Sequence, residues 1–163
     1  MFKKSFLCML LALSLFGCAA GGQIYSKDEE TAIMHTMQGK AAPKLYLYAP
    51  SFFKFSRHQG DPFVCTLDGN PVGGIRLGEY VVVPAKGGDH TLACEQNVSG
   101  VGLVTTKTRG SLAIKIEKDD LYAMVKNGLT TFAPLKLESG KTPPDKFNED
   151  YQLSKTCTAC LGK

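Results

Sequence analysis

Tryptophan is absent from this chain of 163 residues, and histidine occurs only three times. No apolar run is long enough to span a membrane. A span needs roughly 20 predominantly apolar residues, whereas the longest stretch, Ser5 to Phe16, soon meets Gly17, Gly21, Gly22 and Gln23. His35, His58 and His90 stand far apart and no G-x-S-x-G occurs, so a histidine-built metal site or a Ser-His-Asp arrangement has no anchor. Ser139-Gly140-Lys141-Thr142 ends like a phosphate-binding loop. However, Leu135 stands where the first glycine is needed and Pro143-Pro144 stand where the helix would begin. Without tryptophan, a glycan-binding module would rest on Tyr46, Tyr48, Tyr80 and Phe52, which suit a core or a sheet face equally well. The net charge of +4 shows no basic clustering that calls for nucleic acid. No catalytic residue, metal or cofactor is expected, and the chain does not read as an enzyme.

Lys3 and Lys4, the apolar stretch behind them and the small residues around Cys18 form the positive, apolar and cleavage regions of an export signal. Leu15-Phe16-Gly17-Cys18 resembles the lipobox of bacterial lipoproteins, in which the cysteine carries diacylglycerol, is further acylated with a chain such as palmitate, and becomes the mature N-terminus. The resemblance implies cleavage after residue 17 and anchoring to a lipid bilayer through Cys18. Ala19 is not an aspartate, which by the same resemblance favours the periplasmic face of the outer membrane over inner-membrane retention. The mature chain keeps 146 residues with 17 basic and 15 acidic groups, enough for one domain.

Cys65, Cys94, Cys157 and Cys160 remain after the signal and the anchor are set aside. An oxidising envelope compartment favours disulfides among them, with three connectivities. Cys65 shares a face with Phe63 and Leu67, and Cys94 shares one with Leu92. If both faces are core, the two sulfurs meet in one interior, as a disulfide or as two buried thiols. Cys157-Thr158-Ala159-Cys160 reads as a small local disulfide. The alternative is a thiol-disulfide redox motif, although no helix follows to lower a thiol pKa.

The pattern along the chain divides it into a signal at 1–17, an anchor and tether at 18–42, a β domain at 43–138 and a tail at 139–163. In the tether, Ser26 and Glu29 have capping-box spacing, and Ile33, Met34 and Met37 share a helical face. After Pro43 the period becomes two, with strands expected at 44–48, 63–67, 72–77, 80–83, 90–94, 101–108, 112–116, 122–126 and 130–137. Asp68-Gly69-Asn70 is a hairpin signal. These elements predict an all-β fold, a small antiparallel β-sandwich of about seven to eight strands. The tail is expected to hold a short helix after Pro143-Pro144, with Phe147 and Tyr151 four apart.

Val64 to Gly73, Tyr80 to Pro84 and Gly88-Asp89-His90-Thr91-Leu92 resemble a family of bacterial lipoproteins of unknown function that share a PEGA-like β-sandwich. The likeness covers roughly residues 43 to 126 and implies a fold and an envelope location, with no activity to transfer. Phe52, Phe53, Lys54, Phe55 and Arg57 interleave aromatic with basic groups, as a loop meeting a partner or a membrane would; their alternative is packing under the sandwich. The expectation is a non-enzymatic interaction or structural module, held at the bilayer and working with an envelope protein.

Overall fold

The computed structural model describes residues 24–38, 42–51, 60–99, 105–127 and 134–156. Cys18, the loop residues Phe52, Phe53, Lys54, Phe55 and Arg57, and Cys157 and Cys160 lie outside these described residues. The elements are α1 (Lys27–Gln38), β1 (Lys44–Tyr48), β2 (Phe63–Leu67), β3 (Asn70–Ile75), β4 (Glu79–Pro84) and β5 (Gly88–Ser99). They continue with β6 (Thr105–Ile116), β7 (Leu121–Lys126), β8 (Lys136–Gly140), α2 (Phe147–Asp150) and β9 (Gln152–Leu153). Among the described residues no helix is long and apolar enough to cross a membrane.

The strands form a sandwich of two sheets, one ordered β8-β7-β1-β4-β9 and the other β3-β2-β5-β6. Alternation places Leu45, Leu47, Val81, Val83, Ala123 and Val125 on the inner face of the first sheet. Phe63, Cys65, Leu67, Leu92, Cys94, Ile114 and Ile116 face them from the second; all are buried. The Asp68-Gly69 turn has positive φ at both residues, 51° and 78°, as a two-residue type I′ hairpin requires. The four-stranded sheet is antiparallel throughout. The five-stranded sheet is mixed, because β1 pairs parallel with β7 and β4 pairs parallel with β9. Alternation reports which face a residue takes and carries no information about strand direction.

Gly110 corrects a boundary. The sequence pattern splits this region into strands at 101–108 and 112–116, yet β6 runs unbroken from Thr105 to Ile116 opposite β5. A Cβ at Gly110 would stand 2.5 Å from the Leu135 carbonyl oxygen and 2.6 Å from Leu137 Cδ1. The glycine therefore marks a close approach of backbone rather than a turn. Leu135 N–H also donates to the Arg109 carbonyl at 3.2 Å, which closes the sandwich along that edge.

Cys65 and Cys94 are paired in a disulfide, with Cα atoms 4.1 Å apart and both side chains buried. They sit directly opposite each other in the β2–β5 ladder. Thr91 C=O accepts from Asp68 N–H, so the odd-numbered backbone groups of β5 face β2 and the Cys94 groups face β6. The two cysteines thus form a non-hydrogen-bonded pair, the position at which Cα atoms come closest in an antiparallel ladder.

The outer face of the five-stranded sheet is roofed. Phe147, from α2, packs among Tyr46, Tyr48, Tyr80, Tyr122 and Tyr151, with ring centroids 5.0 to 6.0 Å from its own. Tyr46 and Tyr122 stack at 4.7 Å. Burial pushes the Tyr46 hydroxyl up to about 12, with Asp120 and Tyr122 adding to the shift. The residues read as a C-terminal tail therefore contribute part of the core and a strand.

The helix of the tether segment forms where its capping box predicts. Ser26 N–H donates to Glu29 Oε2 at 2.8 Å, and Glu29 N–H donates back to Ser26 Oγ at 3.3 Å. Met37 is buried, while Ile33 and Met34 pack partly against the core. Tyr80 Oη donates to the buried Glu30 carboxylate at 2.8 Å, tying α1 to β4.

Candidate functional site

The outer face of the four-stranded sheet carries no such roof among the described residues. A hollow of about 430 Å³ opens on it, lined by Val64 and Thr66 from β2, Ala93 and Glu95 from β5, and Arg109 and Ser111 from β6. The backbone at Cys94 and Gly110 closes its floor. These side chains share one face because they stand in register. Thr66 pairs with Ala93 and Ala93 with Ser111, while Val64 pairs with Glu95 and Glu95 with Arg109. One transverse row is therefore small, and the next runs from apolar to acidic to basic. Val64 is 47% exposed, the one large hydrophobic side chain left open among the described residues.

The charged rim is partly paired. Glu95 accepts from Lys107 Nζ at 2.9 Å and lies 3.3 Å from Arg109 Nε. The Lys107 hydrogen bond, with the charges of Lys107 and Arg109, holds the Glu95 carboxyl below the usual carboxylate range. Two cations share one carboxylate, so the rim keeps a positive excess beside apolar surface and two hydroxyls. No imidazole lines the hollow among the described residues.

A second polar cluster locks the hairpin tip at the other end of β2. Asp68 accepts the Thr91 N–H at 2.8 Å through Oδ1, while Oδ2 lies 2.6 Å from His90 Nδ1. His90 Nε2 lies 2.8 Å from the Lys86 carbonyl oxygen. Both ring nitrogens face oxygen acceptors, and only the imidazolium has two N–H donors to satisfy them. The Asp68 hydrogen bond, then the Lys86 carbonyl, raises the His90 pKa above its ordinary 6.5. The His90 and Thr91 hydrogen bonds lower Asp68 below its ordinary 3.8.

The histidine contribution is fully present below pH 6.5 and is lost as pH rises through the raised folded value. The aspartate contribution is present above pH 3.8 and is lost as pH falls through the lowered one. The lock is therefore strongest between these two ordinary values. Urea midpoints measured across pH should fall on the alkaline side of this window in the wild type, and His90→Gln should flatten that fall. An unchanged profile in the variant would remove the imidazolium from the account.

Of the cysteines singled out from sequence, Cys65 and Cys94 meet inside the sandwich. The hollow is built from residues that sequence reading passed over as the solvent side of alternating strands. The available signal was Val64, a β-branched apolar residue on the face that alternation assigns to water. Among the described residues no group of three His, Cys, Asp or Glu side chains is placed to hold a metal ion. Comparison with protein-family models, with curated proteins and with solved structures returns no match.

Proposed function

We propose that this chain is a lipid-anchored envelope protein of the PEGA-like lipoprotein kind, acylated on Cys18, whose β-sandwich binds another envelope protein without covalent chemistry. The observation that carries the binding role is the contrast between the two outer faces. One is covered by Phe147, Tyr151 and α1, leaving a hollow lined mainly by polar groups such as Lys27 and Glu30, while the other offers a hollow with Val64 open beside Arg109. A hollow of this size that joins apolar surface to a few polar groups has the composition of a binding site. The signal, the lipobox-like residues before Cys18 and Ala19 support a location at the periplasmic face of the outer membrane.

The acylated protein, solubilised from membranes in detergent, tests the reading when wild type and Val64→Glu are compared. Wild type is expected to recover a specific envelope protein that the variant loses. Both proteins should share one urea midpoint, because the substituted side chain faces solvent. Equal recovery by the two would sink the hollow as the binding face.

A further inference from the structure

The expected tether at 18–42 is bound into the domain almost from its start. Ile24 forms an antiparallel bridge with Ser154, directly after β9, and Tyr25 N–H donates to the Leu153 carbonyl at 2.9 Å. Lys27 Nζ then donates to the Asn148 carbonyl at 3.1 Å, Glu30 is held by Tyr80, and Met37 is buried at the far end of α1. The chain is thus fastened at Ile24 and again along the whole helix.

We infer that the domain works close against a lipid surface, with the edge formed by Ile24, β9 and the N-terminus of α1 turned to the bilayer. The inference rests on acylation of Cys18. Residues 19–23 alone separate that cysteine from the fastened Ile24. Six Cα steps reach at most about 21 Å when fully extended. Had residues 18–42 been a free chain, the same arithmetic would allow about 80 Å. The docking of Ile24 thus changes a long leash into a short strap.

The same edge brings the candidate binding face near the membrane. Ser154, the partner of Ile24, donates through Oγ to the Gly74 carbonyl at 3.1 Å, and Gly74 pairs with Val64. Two ladder steps of about 5 Å and one side-chain hydrogen bond between the sheets put Val64, at the edge of the hollow, within roughly 20 Å of Ile24. A partner bound there meets the domain within roughly 40 Å of the bilayer.

Among the described residues, Lys27 and Lys155 on this edge already have acidic partners. Lys27 lies 3.2 Å from Glu30 and Lys155 lies 3.9 Å from Glu29, with Asp28 adding a further acid. Lys155 also sits over the Tyr25 ring at 5.5 Å. Proximity therefore comes from covalent length and should resist salt, unlike adhesion by a basic patch.

Neutron reflectometry of the full acylated protein on a supported bilayer of phosphatidylethanolamine and phosphatidylglycerol measures the gap directly. The protein layer is expected to begin within about 20 Å of the headgroups and to stay there from roughly 50 to 500 mM salt. A flexible Gly-Ser insertion of about 20 residues after Gly22 leaves the fastened residues intact and should move the layer outward by about 25 Å. A wild-type gap equal to that of the insertion variant, or one that widens with salt, overturns the inference. Mass spectrometry of the same sample separates the two failures: a Cys18 without its acyl mass overturns the anchor reading and this inference with it. A normal acyl mass with a wide gap overturns the strap alone.

Discussion

Phe147→Ala is expected to destabilise the domain by about 3 to 5 kcal/mol, the range for removing a buried aromatic side chain. The side chain is 7% exposed and lies at the centre of five tyrosines, with the Tyr80 ring 5.0 Å away and the Tyr151 ring 5.1 Å away. Truncation would empty the space beneath a helix of only four residues, which has no means of staying folded by itself. The loss should extend beyond α2. Tyr80 carries the hydrogen bond to Glu30, and β9, one residue beyond α2, pairs with β4 while Ser154 next to it bridges Ile24. Urea unfolding followed by tyrosine fluorescence and by circular dichroism should give coincident transitions shifted to lower denaturant. A loss under about 1 kcal/mol would show that the C-terminal elements unfold apart from the sandwich.

Replacing Cys65 and Cys94 together by alanine should lower stability by about 3 to 4 kcal/mol. The crosslink joins residues 29 apart in sequence, and the loop it closes restricts the unfolded chain by about that amount in the chain-entropy account. Both sulfurs are buried, so the double substitution also removes packed volume from the core. Denaturant midpoints for the wild type, the wild type unfolded in reductant and the double variant provide the check. The last two should both lie well below the first, with the double variant the lower of them by the packing that the two sulfurs supply. A double variant as stable as the oxidised wild type would show that the crosslink adds nothing beyond what the ladder already holds.

These two effects differ in how far the sequence announces them. Alternation in Phe63-Val64-Cys65-Thr66-Leu67 states that Cys65 faces the core, and Leu92-Ala93-Cys94 states the same of Cys94, so their meeting is legible although their pairing is open. Phe147 carries only the spacing of four from Tyr151, which suggests a helical face and nothing about five tyrosines gathered from β1, β4, β7 and the tail. The hollow is less legible still. Thr66, Ala93 and Ser111 are each ordinary on the outer side of a strand, and Val64 alone stands out there as apolar. They become a site only when β2, β5 and β6 are set side by side in one register.

Cys157-x-x-Cys160 and the aromatic-basic run at Phe52 to Arg57 were the motifs most visible in sequence. Both lie outside the described residues, so the binding reading rests on neither.

What the sequence determines by itself is whatever depends on neighbours a few residues apart. The Ser26–Glu29 capping box, the Asp68-Gly69 turn, the alternating strands and the buried side of each are written in spacings of two, three and four, because these are the periods of the backbone itself. Tertiary structure alone decides what depends on distant partners. It pairs β1 with β7 and β4 with β9 in parallel, runs Leu135 across Gly110, gathers the tyrosines on Phe147 and fastens Ile24 to Ser154. A residue's period tells which way its side chain points; which strand lies beside it is set by the packing of the whole core.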